Sequence, residues 1–346
     1  MSRAAKRGHL NRLLNSQIQS VLESFKIFDG PASLIREKVR RSAVMKAVDD
    51  IYKQATITGM LWSGGTPDVK LLENNITTYC TILQGFIFLC HGSTVGAGPT
   101  LFFSVRASAK QVIDRSISLL KDPILLSHGS KVDMKNILIP HLSGSVWEAC
   151  GSLKKLPSSD TLAVGRAMIQ VAISMKDVLR EMKELKLATS ESDDSNILVE
   201  EDDEFGSDLS HEEMKNAQLV ISVVSDSLSV IKELIRFVTV MIKQRNHDDD
   251  VDTLEGLLKH CQKIGSQIDD LGACVFPPQE APLMKQAAIK LTEELEGMKS
   301  LIVNGISGSF KDFIIASEGL KSSLTKFLSE IVSLDRLVNE MGNLDL

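Results

Sequence analysis

Histidines, cysteines and clustered carboxylates are the residues of this 346-residue chain best equipped for catalysis or metal binding, and their spacing argues against each such use. A helical metal site needs two ligands four residues apart on one face, and no two of the seven histidines have that spacing. His260 adjoins Cys261, but neighbouring helical residues point in different directions. The run His247-Asp248-Asp249-Asp250-Val251-Asp252 begins like a calcium loop. Thr253 stands where that loop needs glycine for its turn, and Lys259 where it needs a bidentate glutamate. Helix electrostatics accounts better for the run: Lys243 and Arg245 close one helix and the aspartates open the next.

Two further patterns fail in the same way. Gly92-Ser-Thr-Val-Gly-Ala-Gly98 is rich in glycine and precedes a helical pattern, but Pro99 and Thr100 follow where a phosphate-binding loop requires Lys and then Ser or Thr. It also follows a helical stripe, not the strand of a dinucleotide fold, so a plain helix–helix connector is expected. No Gly-x-Ser-x-Gly elbow is present. Cys80, Cys90, Cys150, Cys261 and Cys274 are odd in number, scattered and set among apolar neighbours, the pattern of small core residues and not of a disulfide framework. No catalytic, cofactor-binding or metal-ligating residue is assigned, no cofactor is expected, and the chain reads as a non-enzyme.

The elements that carry these residues are helical. Val69, Leu72, Ile76, Tyr79, Leu83, Phe86 and Cys90 form one stripe, with Thr66-Pro67 read as its cap and first turn. Val164, Met168, Val171, Met175, Val178, Met182 and Leu185 alternate spacings of four and three, a heptad-like seam suited to shallow helix crossings. Further stripes run through 220–242, 251–271 and 310–341. Ser210 with Glu213 three residues on is a capping-box pattern. Helices are predicted over 4–28, 33–60, 67–91, 99–121, 131–153 (broken at Pro140), 160–187, 210–245, 249–271, 281–303 and 309–341. The expected fold is all-α, two packed bundles of four to six long antiparallel helices each.

Composition agrees. Apolar residues make up 43% and aromatics only 5%, which suits aliphatic helical cores. Eleven acidic residues and no Lys or Arg lie between Glu191 and Glu213, so residues 190–209 read as an acidic flexible linker. The expected domains are therefore 1–189 and 210–346, with the first helix free to join either. Ser190 and Ser192 suit an acid-directed kinase. The basic N-terminus (Arg3, Lys6, Arg7, Arg12) resembles a transit peptide in charge, but the simpler reading is a first helix. No concentrated basic stripe suggests nucleic acid, and 76–90 is too short and polar for a membrane span. A soluble, intracellular protein is expected.

Certain motifs are more specific. Ser145-Val-Trp-Glu-Ala-Cys150, Leu156-Pro157 and Met182-Lys-Glu-Leu185 resemble the cyclin-D-interacting protein family, as do Ile268-Asp-Asp-Leu271 and Val275-Phe-Pro-Pro278. Weaker similarity lies around Gly98-Pro-Thr-Leu101 and Val105-Arg106. The resemblance implies a vinculin- or talin-like two-bundle protein found in cytoplasm and nucleus. It would be a negative regulator of cell-cycle progression and transcription, binding D-type cyclins and helix-loop-helix factors without touching DNA. A cytoskeletal or junctional adaptor is the alternative reading. The Id-like helix-loop-helix description attached to that family fits poorly, because such a dimer needs helices free to pair with a partner and each helix here should already have neighbours.

Overall fold

A computed structural model describes residues 3–30, 37–63, 68–126, 132–187, 208–244, 251–305 and 310–342. Among them are ten α-helices: α1 (Arg3–Phe25), α2 (Arg41–Ser63), α3 (Val69–Ser93), α4 (Pro99–Leu126), α5 (Val132–Lys154), α6 (Asp160–Lys183), α7 (His211–Gln244), α8 (Val251–Cys274), α9 (Ala281–Gly305) and α10 (Lys311–Gly342). A 3-10 turn, Lys26–Asp29, follows α1. The all-α expectation holds apart from one two-residue parallel pairing, β1 (Lys186–Leu187) with β2 (Asp208–Leu209). Sequence neighbours pack together at α2–α3, α4–α5 and α8–α9, while α1 pairs with α3, α2 also with α5, and α7 with α10. Contacts of α2 show it: Thr58 meets Asn75 on α3, while Asp49 and Tyr52 meet Lys154 and Trp147 on α5.

The chain divides into two compact units, Met1–Ala163 and Val164–Leu346. The expected boundary at 190–209 falls mostly on residues outside those described, as do Ser190, Ser192 and the aspartates 248–250. The division instead lies within the first turn of α6. Its stripe explains why: Val164, Met168, Met175 and Met182 are buried in the same core as Val223, Ile231, Leu258 and Ile268. Burying a side chain of this size contributes about 1.5–3 kcal/mol, so the stripe commits α6 to the second unit.

In the first unit the core is built from α1 to α5 and the 3-10 turn, with Tyr79, Phe86, Phe28 and Ile51 among its fully buried side chains. The first helix belongs here, its Leu10, Leu14 and Val21 buried in this core. Two buried hydroxyls of this core are paired: that of Tyr79 donates to Ser116 Oγ at 3.1 Å, and that of Thr58 shares its one proton between Gln54 O and Asn75 Oδ1, 2.8 and 3.0 Å away. Such pairing offsets desolvation that an orphaned hydroxyl would suffer.

Several boundaries differ from the sequence expectation. Helix α2 begins at Arg41, not near residue 33, because Val39 N–H bonds Gly92 O at 3.0 Å and holds the chain out of helix. The cap of α3 is Asp68, whose carboxylate accepts from Lys70 N–H, while Thr66 and Pro67 lie outside the described residues. Helix α4 continues past Pro123, and α5 continues through Pro140 without the expected break. Pro140 is exposed, and a single missing hydrogen bond on a solvent face kinks a helix without ending it. At α7 the capping box forms as expected: Glu213 N–H donates to Ser210 Oγ at 3.3 Å, and Ser210 N–H donates back to Glu213 Oε2 at 2.9 Å.

Candidate functional site

Four of the five cysteines are buried, whereas among the described histidines only His91 is. Burial pushes the thiols of Cys80 and Cys261 up to about 12 and that of Cys150 up to about 11. These groups stay protonated at neutral pH, poor nucleophiles and poor ligands. Among the described residues no three His, Cys, Asp or Glu side chains converge as a metal site requires. None of the described helices is long and apolar enough to cross a membrane.

The glycine-rich connector is a structural device. Gly96 takes φ +70°, a left-handed conformation that only glycine adopts without strain. Gly98 N–H, just before Pro99 opens α4, donates to Asp160 Oδ1 at 2.7 Å. Asp160 is buried at the start of α6, whose own cap is Ser159, with Oγ accepting from Leu162 N–H. One carboxylate therefore anchors the α3–α4 turn where a ligand phosphate would otherwise sit.

The motif Ser145–Cys150 lies on α5. Trp147 packs between helices by stacking on Tyr52 of α2, ring centres 5.3 Å apart and planes 25° from parallel. Cys150 is buried behind it. Gly59 of α2 sits so close to α5 that a Cβ there would meet Ser143 Oγ at 2.5 Å. Leu156-Pro157 ends the motif, and there Arg41 reaches across: its guanidinium donates to the carbonyls of Lys154, Leu156 and Pro157 at 3.0, 2.8 and 3.0 Å. Those are the orphan acceptors of the end of α5 and the turn after it, and a cation there also complements the helix dipole.

Around this clasp lies a groove of about 280 Å³. Its walls are aliphatic, with Val44 and Met45 from α2, Leu101 and Val105 from α4, and Leu153 and Leu156 from α5 and its end. Lys38, Arg40 and Arg41 stand at its rim, and among the described residues no Asp or Glu lines it. Sequence reading missed this site. It took the basic run as the start of a helix, and only the Val39–Gly92 bond reveals that the run edges a groove.

The second motif sits in the other unit. Ile268 and Leu271 of α8 are buried, Val275 is buried beyond them, and Phe276 is exposed. Gln279, after Pro277-Pro278, donates to Glu213 O and Val275 O, both at 2.9 Å, and accepts from Asn216 Nδ2 at 3.1 Å. The motif thus ties the turn to the first part of α7. Earlier in α8, His260 Nδ1 and Lys263 Nζ meet Glu294 of α9 at 2.6 and 2.7 Å. Burial opposes the charged form of Glu294, but hydrogen bonds from Lys263 and His260 outweigh it and hold the carboxyl below its usual value.

A folded-state carboxyl below the unfolded value of about 4.3 stabilises the fold above that pH, and the gain is lost as pH falls through the folded value. Glu294→Gln is therefore expected to lower stability at pH 7 and to flatten the acid limb of the stability curve below about pH 5. Urea midpoints of both proteins across that range check it; parallel curves would refute the assignment.

The two sequence motifs therefore hold helix ends and turns in place. Comparison with known proteins supplies a lineage for them. The model described as "Grap2 and cyclin-D-interacting, N-terminal" matches residues 43–188, and its C-terminal companion matches residues 188–300. A Xenopus laevis protein named cyclin-D1-binding protein 1 homolog is 26% identical over 207 residues, 58% of this chain and 60% of that protein. A Danio rerio protein of the same name is 24% identical over 236 residues, 66% of this chain and 64% of that protein. The chain thus spans less than two thirds of the length of either relative. With both family models matched in order along its helices, the chain belongs to the Grap2 and cyclin-D-interacting family.

Proposed function

We propose that this chain is a non-enzymatic regulatory binding protein that engages D-type cyclins, and through other contacts helix-loop-helix factors, to restrain cell-cycle progression and transcription. The observation that carries the reading is the ordered match to both family models, whose description names cyclin-D interaction. The relatives' printed name, cyclin-D1-binding, points the same way. Burial of the helix faces in the two cores adds support against pairing in the manner of an isolated helix-loop-helix, since those faces are already occupied. Binding would then use surface grooves or helix faces left outside the cores.

The reading extends to a vinculin- or talin-like arrangement of bundles, to the acidic stretch 190–209 as a tether, and to residence in both cytoplasm and nucleus. Titration of the purified chain against a purified D-type cyclin tests its centre. Saturable binding tighter than about 10 µM is expected; no saturation for any D-type cyclin would sink the reading. If the chain instead co-sediments with actin filaments, the adaptor reading replaces it.

A further inference from the structure

We infer that the basic-rimmed groove of the first unit binds a short acidic–aliphatic peptide segment of a partner protein, in which carboxylates flank a leucine-like side chain. This inference rests on the reading of the chain as a partner-binding protein and assigns that role a place.

Three observations converge. The groove's walls are aliphatic, contributed by α2, α4 and α5, so a free anion would leave them unfilled while a leucine-like side chain would cover them. The rim carries Lys38, Arg40 and Arg41 with no carboxylate among the described lining residues, so the complement is acidic. The three cations also divide their work. Arg41 is committed to three backbone carbonyls and fixes the wall. Lys38 and Arg40 are exposed, and neither forms an ion pair with a described residue. They are available to a ligand, whereas Lys154 and the half-buried Arg106 nearby are paired with Asp49 and Asp29.

The surrounding wall is held by bonds and packing within the unit. Val39 N–H bonds Gly92 O at 3.0 Å, so the segment carrying both free cations is pinned to the end of α3. Leu153, Cys90 and Val44 are buried at the groove's base. A preformed site of this kind loses little conformational entropy on binding.

The test is fluorescence anisotropy of the full chain with a labelled peptide, Asp-Asp-Leu-Leu-Glu-Glu. Saturable binding is expected, weakened roughly tenfold or more when the acids become their amides, when both leucines become serine, or when the protein carries Lys38→Glu with Arg40→Glu. Both substituted side chains are exposed and outside the helices, and circular dichroism of that variant should match wild type. Equal affinity of the double variant overturns the inference. So does equal affinity of the amide peptide, which would mark a purely apolar site. Vesicles containing phosphatidylserine that bind through Lys38 and Arg40 while the peptide does not would reassign the groove to a lipid surface. A roughly tenfold gain in peptide affinity on deleting 190–209 would show that the chain's own acidic stretch is the occupant, and would overturn the assignment to a partner. Cyclin titrations run alongside separate the two readings: loss of peptide binding with cyclin binding intact removes only the groove, and the converse removes only the cyclin assignment.

Discussion

Replacing Gly265 or Gly272 of α8 by valine is expected to destabilise the second unit by about 1–3 kcal/mol each, through overpacking against α6. A Cβ built at Gly265 would lie 2.9 Å from Val171 Cγ1, and one at Gly272 would lie 2.7 Å from Val178 Cγ1. The two glycines are seven residues apart, as are the two valines, so the helices meet through a repeated notch-and-knob contact. Valine in a helix has one strongly preferred χ1, so neither Val171 nor Val178 can turn its methyl away cheaply. Urea unfolding read by circular dichroism measures the loss, and hydrogen exchange should show α6 and α8 losing protection together. Val178→Ala is expected to restore part of the stability of Gly272→Val but to weaken the wild-type protein, a coupling that a double-mutant cycle reads directly. Additive effects of these two changes would refute the contact. Gly144→Ala in α5 is the control: its Cβ would meet open space, and alanine's helix preference should then stabilise by up to about 1 kcal/mol.

The second large effect is expected at Asp160. Its carboxylate accepts from the buried Gly98 N–H at 2.7 Å across 62 residues of chain. Asp160→Ala leaves that donor without its partner and removes a negative charge from the first turn of α6. A bond to a charged acceptor contributes about 1.5–3 kcal/mol, and the Ala variant should lose an amount in that range. Asp160→Asn keeps an acceptor of the same shape and should lose less, the remainder measuring the charge-assisted part. Denaturant midpoints give both values, and hydrogen exchange should locate the change at 94–104 and 160–164. An alanine variant as stable as the asparagine variant would mean that the bond contributes nothing. Asp160 also shows why the glycine-rich connector needs no ligand: its closure comes from the protein's own carboxylate.

Much of the helical content was legible because a buried helix face leaves a three-and-four repeat whatever it packs against. Val164, Met168, Met175 and Met182 are all buried, as their spacing requires, and the Ser210–Glu213 cap involves only residues three apart. Short-range physics of this sort needs no partner from elsewhere in the chain. The start of α2 was misread for the opposite reason. Arg40 and Arg41 have good helix preference, and nothing nearby in sequence shows that Val39 is bonded to Gly92. The candidate site was hidden for the same cause: Arg41 meets carbonyls 113 to 116 residues away, and the groove exists only once four helices converge.

The sequence by itself therefore determined that the chain is helical, which face of α3, α6, α7 and α8 is buried, and that no local catalytic motif is present, because each of these depends on residues within a turn or two. The allegiance of α6 was decided only by tertiary structure. A heptad stripe says that a helix has an apolar face, and it is equally satisfied by any apolar partner. Glycines at 265 and 272 accept Val171 and Val178, and this complementarity of shape, with the valley in one sequence and the knobs in another, gave α6 to the second unit. The groove likewise became a surface only through packing, since its apolar lining is assembled from α2, α3, α4 and α5.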